Sequence, residues 1–228
     1  MILSSHKEML NTDSTSGVWL GEFTDPYYEF IDAGYEVELA SPFGGEPPVD
    51  PVSKITEHIT GSNRRFLKDE KAQQAFKNTK MLSAVNRAEF DAVFYPGGHG
   101  PMFDLAINQV SGQIILDMLH AGKPVAAVCH GPAALIKAAE METGFLQGKK
   151  MTGFTNTEEK MNLRADNVPF LLESRLQELG AEFTHSTIPY TAHVEVDGLL
   201  ITGQNPLSAG PAAKALIEML EKSRVRRK

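Results

Sequence analysis

The chain has one cysteine in 228 residues, fewer bases than acids, and no long apolar run. A lone cysteine excludes an internal disulfide and fits a reducing compartment or a catalytic thiol. Lys and Arg number 22 against 29 Asp and Glu, a formal charge of −7. Phosphate backbones are held by clustered Lys and Arg, so a nucleic-acid partner is not expected. The short basic tail at 222–228 reads as a solvated end. No segment approaches the ~20 apolar residues that span a bilayer, and the N-terminus lacks the basic segment and apolar core of a secretion signal. The expectation is a cytoplasmic protein with no membrane partner. What is present is ordinary for a globular chain, with 42% apolar and 22% charged residues, and the length suffices for one substantial α/β domain.

Apolar periodicity supplies the elements. Residues 23–33 have helical spacing, with Tyr27, Phe30 and Ile31 on one face and Gly34 as the stop. Residues 35–40 alternate as a strand does. Gly/Pro clusters make 41–51 a loop. Residues 54–78 are polar and weakly amphipathic, anchored by Phe66 and Phe76, and read as helices of a small cap or lid over about 45–80. Strand patterns follow at 82–85, 90–95 and 125–128, and a short one at 150–154. Helical patterns cover 102–121, 168–179 and 206–221. Residues 194–201 form a hairpin that turns at Asp197-Gly198. Strands alternating with helices predict a largely parallel central sheet covered on both faces. We expect one domain over 1–228, with its site at the carboxyl ends of the strands.

Two strand ends carry chemistry. The apolar run 125–128 stops at Cys129, and His130-Gly131-Pro132 precedes an Ala-rich helical stretch. Strand, tight turn and helix in that order form a nucleophile elbow. A free thiol titrates near ~8.5, and a helix starting just after Cys129 would offer N–H donors and partial positive charge to a thiolate, so Cys129 is expected to be ionised at an accessible bend. His130 is placed to act as base, and its amide to stabilise an oxyanion. The second turn, Pro96-Gly97-Gly98-His99-Gly100, offers backbone donors that approach a ligand closely. His99 and Gly97 are candidates for the pocket wall. Three acids lie near such ends. Glu22, beside an aromatic, Pro-bearing helix start, would be protonated if buried. Glu158 or Glu159 would orient His130 as the third member of a triad does. A rival pair, His193 and Glu195, shares one face of a strand in the spacing that class I glutamine amidotransferases use to serve an elbow cysteine. An exposed strand face accounts for that pair equally well.

Taken together, six blocks resemble the DJ-1/PfpI superfamily, and within it the heat-shock protein 31 and glyoxalase III branch, often labelled type 1 glutamine amidotransferase-like. They are Gly17-Val18-Trp19-Leu20-Gly21-Glu22-Phe23, Ala40-Ser41-Pro42-Phe43-Gly44-Gly45, Phe94-Tyr95-Pro96-Gly97-Gly98-His99-Gly100-Pro101, Ala126-Ala127-Val128-Cys129-His130-Gly131-Pro132-Ala133, Thr152-Gly153-Phe154-Thr155-Asn156-Thr157-Glu158-Glu159 and Ile201-Thr202-Gly203-Gln204-Asn205-Pro206. The resemblance implies a flavodoxin-like α/β sandwich. It implies Cys129 as nucleophile, Glu22 as the buried acid against the thiolate, and His130 and Glu159 as the other triad members. The backbone at Gly98 and His130 would be the oxyanion hole, with Gly97, His99 and Glu158 near the substrate. The implied reaction turns methylglyoxal and related 2-oxoaldehydes into 2-hydroxy acids without glutathione, metal or other cofactor. A homodimer and chaperone-like binding of unfolded proteins are implied as well. Two departures stand out: a very short first strand, and the polar sequence Lys160-Met161-Asn162-Leu163 after the triad acid.

Overall fold

The computed structural model describes residues 1–55 and 58–226. Residues 56 and 57 of the expected cap, and 227 and 228 of the basic tail, lie outside the described residues. Strands β3 (Val93–Tyr95), β4 (Val125–Val128) and β8 (Leu200–Gly203) run parallel, and β7 (Val194–Asp197) closes one edge antiparallel to β8. This hairpin is the one expected from Asp197-Gly198. Beyond β3, Ile2 donates its amide to Phe94 at 2.9 Å and bridges Ala40 in parallel. β1 (Ala40–Ser41) in turn pairs with β2 (Lys80–Met81). Segments 40, 2, 93, 125 and 200 therefore lie side by side in the flavodoxin-like order. β5 (Lys150–Met151) and β6 (Glu182–Phe183) form a separate parallel pair. It is tied to the hairpin by the Lys150 amide to Asp197 and the Thr152 amide to Thr202 Oγ1, both at 2.9 Å.

Side-chain alternation along the central strands divides the core into two layers. Val125, Ala127 and Cys129 face α4 (Gln109–His120) and α5 (Ala134–Met141), packing with Ile114, Ile115 and Leu135. Ala126 and Val128 face the other way, onto Phe30 of α1 (Leu20–Asp32) and Ala209, Ala212 and Leu216 of α8 (Ala209–Arg226). Residues 125–128 are wholly buried, which is why β4 reads as a continuous apolar run.

The helices α2 (Gly61–Phe66) and α3 (Glu70–Lys77) occupy the stretch expected as a cap. Phe66 and Phe76 pack on Phe23 of α1 at centroid distances of 5.6 and 5.0 Å. Thr60 caps α2 and also donates to Asp25, while Asp69 caps α3 and also accepts from the Tyr28 hydroxyl. The segment is thus fastened along the length of α1.

Several elements are shorter than periodicity predicts. The strand expected at 35–40 is confined to Ala40–Ser41, the residues that meet β2 and Ile2. Residues 82–84 form a 3-10 turn rather than a strand, burying only Leu82. The helix expected from 102 begins at Gln109, where Asn108 caps it by accepting the Ser111 amide, after two 3-10 turns. Pro206–Ser208 is likewise a 3-10 turn ahead of α8.

Candidate active site

At the carboxyl end of β4 the chain bends sharply at Cys129, whose φ is +58°. A non-glycine residue in this left-handed region is strained and needs its surroundings to hold it. Its amide donates to Gly203 O at 2.9 Å, and its carbonyl accepts from Phe154 N–H at 2.8 Å. Both neighbours are strand-end segments, so the sheet itself clamps the bend. The 3-10 turn Gly131–Ala133 then leads into α5. The elbow expected from the sequence is present, with the thiol 3% exposed.

An imidazole lies on the thiol. His130 Nδ1 is 3.3 Å from Cys129 Sγ, and its Nε2 donates to Glu159 Oε2 at 2.6 Å. With Nε2 carrying that proton, Nδ1 is left to accept from the S–H. The other Glu159 oxygen accepts from His99 Nε2 at 2.8 Å. One buried carboxylate thus bridges two imidazoles whose rings lie 4.2 Å apart. Burial alone would raise Glu159, but the His130 and His99 imidazoles override it and hold the carboxyl well below its usual range. His99 is lowered by burial and by His130. His99, His130 and Glu159 also have ligand atoms within 4.8 Å of one another, a set of metal-ligating types. Their mutual hydrogen bonds account for the clustering.

Glu22 reaches the elbow from the first turn of α1. Its Oε2 accepts from Gly97 N–H at 2.9 Å, while Oε1 meets no donor in ordinary geometry. The carboxyl is wholly buried, and burial pushes it up to about 8 despite its contacts with Cys129 and the Gly97 amide. It is therefore an acid that keeps its proton at neutral pH, and Oε1 is the oxygen free to carry it. Gly97 is required here: a Cβ would sit 2.7 Å from Glu22 Oε2 and 2.8 Å from the His130 amide. Gly98 has φ +86°, and its amide points at the Cys129 sulfur. Among the described residues neither the Gly98 nor the His130 amide donates to an oxygen, so both donors remain available.

The resting thiol differs from the expectation of an ionised, accessible cysteine. Burial pushes Cys129 up, and negative charge on Glu22 or Glu158 pushes it further, against the Gly98 amide. With Glu22 protonated its repulsion disappears and its hydroxyl becomes a donor to sulfur. The thiolate then forms as the His130 base takes its proton, rather than standing ready beforehand.

A cavity of about 500 Å3 reaches Cys129, with Gly98, His99, His130 and Phe154 around it. Trp19 and His58 also line it and meet edge to face at 5.0 Å. Gly97 and Glu158, expected at the pocket, do not line it. Gly97 holds Glu22 behind the elbow. Glu158 is fully buried and accepts five hydrogen bonds, from the Thr155 amide and hydroxyl, the Tyr190 amide, Gln204 and Asn205. It ties together three loops rather than facing substrate. His193 and Glu195 pair with one another at 3.2 Å and with Thr184, not with Cys129.

Cavity residues absent from the sequence expectation are Asp50, His58, Asn162, Arg164 and Tyr190. They come from turns and element ends rather than from the interior of a strand or long helix. The polar departure at 160–163 is the one signal that pointed near them.

The model of the DJ-1/PfpI family matches residues 14–219. The glutathione-independent glyoxalase hsp3101 of Schizosaccharomyces pombe is 35% identical over 222 residues, covering 92% of this chain and 89% of its own. Among solved structures, Rapid Encystment Protein 24 kDa of Francisella tularensis superposes with a TM-score of 0.91 at 38% identity, covering 96% of this chain and 97% of that one. Glyoxalase III of Candida albicans superposes with a TM-score of 0.86 at 29% identity, over 95% and 94% of the two chains.

Proposed function

The chain belongs to the DJ-1/PfpI family, and from that premise we propose that it is a glutathione-independent glyoxalase, a lyase-class enzyme converting methylglyoxal and related 2-oxoaldehydes to 2-hydroxy acids through Cys129. The observation that carries this reading is the Cys129 elbow at the cavity, with His130 Nδ1 at 3.3 Å and a proton-bearing Glu22 behind it.

The chemistry follows from these contacts. His130 Nδ1 takes the thiol proton as sulfur adds to the aldehyde carbon, and the carbonyl electrons move onto oxygen. The Gly98 and His130 amides hold that oxyanion. Glu22, protonated, donates to the sulfur and offsets its burial. The proton on His130 passes to the hemithioacetal oxygen, which frees Nδ1 to take the C–H proton. The electron pair flows into the neighbouring carbonyl, giving an enediolate; the hydroxyl proton on the first carbon's oxygen passes to the second oxygen as the first carbonyl re-forms, and His130 returns its proton to the second carbon. The product is a thioester of the 2-hydroxy acid. Water adds to it, the C–S bond breaks, and Cys129 regains its proton. One water is consumed and no oxidant is needed. Each positioned proton-transfer group contributes roughly 10²–10⁴-fold, and Glu159 orients the base throughout.

Cys129→Ala is expected to abolish lactate formation from methylglyoxal assayed without glutathione, and dialysis against EDTA to leave the wild-type rate unchanged. Undiminished turnover in the variant would refute the mechanism, and loss of activity on chelation would refute its metal independence. The family resemblance also supports a homodimer acting in the cytoplasm and an affinity for unfolded proteins. A monomer in sedimentation velocity at micromolar concentration would overturn the dimer. Among the described residues no helix is long and apolar enough to cross a membrane.

A further inference from the structure

The cavity is larger than its proposed substrate. About 500 Å3 lies within the range of sites for drug-sized ligands, far more than a three-carbon aldehyde fills. Its wall also carries a cation that the mechanism leaves unused. Arg164 lines the cavity, half-buried. The ion pairs of this wall are His99 and His130 with Glu159, and among the described residues no carboxylate pairs with Arg164. Asp50 also borders the cavity, but its two oxygens are taken by the Val52 amide and the Ser16 hydroxyl. Asn162, two residues before Arg164, lines the same cavity. Its Oδ1 accepts the Tyr190 hydroxyl at 2.6 Å, and its NH2 group has no acceptor among the described residues.

The backbone is built to put this arginine there. Helix α6 (Asn156–Met161) carries Glu159 in its first turn and ends in a Schellman motif. Leu163 N–H donates to Lys160 O, and Arg164 N–H to Glu159 O. The left-handed position of that motif, normally glycine, is Leu163, with φ +56° and an 87% exposed side chain. Nothing in its packing accounts for the strained turn; its effect is to turn the chain back so that Arg164 lines the cavity with His99 and His130. The positive charge also reaches the imidazole pair, where it helps depress His99.

We propose that Arg164, with the Asn162 amide in the same cavity, binds an anionic tail on the substrate, so that the preferred 2-oxoaldehydes carry a phosphate or carboxylate beyond the reacting carbons. This rests on the glyoxalase reading for its chemistry, and it deepens that reading by naming the substrate class. The reacting atoms are unchanged. The aldehyde carbon bonds to sulfur, its proton moves to the second carbon, and water releases the 2-hydroxy acid; the tail takes no part. A guanidinium meets either anion through paired N–H donors.

The test compares kcat/KM for three aldehydes: 3-phosphooxy-2-oxopropanal, 4,5-dioxopentanoate and methylglyoxal. The wild type is expected to favour at least one anionic aldehyde by about tenfold or more. Arg164→Gln is expected to lower the anionic-to-neutral ratio about tenfold or more, with Arg164→Lys recovering part of it. The two anionic arms distinguish phosphate from carboxylate. A wild type with no preference, or a variant that lowers all three equally, overturns the proposal. Calorimetric binding of glycerate 3-phosphate against lactate separates it from the glyoxalase reading. If no aldehyde is turned over yet glycerate 3-phosphate binds more tightly than lactate in an Arg164-dependent way, the anion site stands and the glyoxalase reading falls. If neither glycerate 3-phosphate nor 2-hydroxyglutarate, the product of the carboxylate arm, binds more tightly than lactate, the anion site falls.

Discussion

At the scale of single residues, the site depends on where each proton rests. Glu22 keeps its proton to about 8 because it is wholly buried, whereas a carboxyl ordinarily releases it near 4.5. Between those two pH values the unfolded chain has lost the proton and the folded chain has kept it. The folded state binds more protons, so stability falls as pH rises through this window. A displacement of this size is worth several kcal/mol by pH 8. Glu22→Gln preserves an acceptor for the Gly97 amide and a donor toward sulfur but cannot ionise. Its melting temperature is therefore expected to gain on the wild type progressively from pH 5 to pH 8, while turnover is largely kept, because the amide preserves the donor toward sulfur and His130 moves the protons. A gap in melting temperature that does not change with pH would contradict the assignment of a buried, protonated acid. Glu158 and Glu159 make the complementary point. They are adjacent in sequence and both buried, yet one serves two imidazoles and the other five donors from loops. A single helical step of ~100° separates their directions, and that step decides which can act on His130.

At the scale of elements, what was legible depended on whether a segment's neighbours lie close in sequence. The elbow was legible because strand, bend and helix are consecutive, and α1 because its apolar face repeats with the helical period. The strand expected at 35–40 was overestimated because pairing, not alternation, sets its length, and only Ala40 and Ser41 find partners. The choice between Glu158 and Glu159 followed from a resemblance rather than from spacing. Arg164 and Tyr190 left no local trace, since the loops that carry them meet the cavity only in three dimensions. The end of α6 shows the limit well. Its Schellman turn would have been visible had residue 163 been glycine, but leucine conceals it. An L-residue in the left-handed region is disfavoured by ~1–2 kcal/mol, while glycine adds a backbone entropy cost of ~0.5–1 kcal/mol. Leu163 buries little, being 87% exposed. Leu163→Gly is therefore expected to stabilise the protein by up to about 1 kcal/mol in urea unfolding. A destabilisation would show that the exposed leucine makes contacts in solution that the fold does not reveal.

At the scale of the whole molecule, the open question is whether the helical segment that supplies Asp50, Val52 and His58 to the cavity is a part of the main core or a separable lid. Its attachment argues for the former. Phe66 and Phe76 pack against each other and against Phe23, with Phe76 only 3% exposed. Phe23 belongs to α1, whose Phe30 packs on Phe94 of the central sheet. Helix α1 thus joins the segment to β3, with Phe23 packed on the segment at one end and Phe30 on Phe94 at the other. Removing the Phe76 ring should cost about 3–5 kcal/mol and should lower the stability of the whole chain, because no part of it can loosen without exposing Phe23. The single tryptophan, Trp19, tests this directly, since it packs on His58 of the segment. In Phe76→Ala we expect tryptophan fluorescence and far-ultraviolet circular dichroism to change together in denaturant, at a lower midpoint than in the wild type. A fluorescence transition that precedes the loss of helix and sheet would mean that the segment opens on its own, and that access to Cys129 is gated rather than fixed.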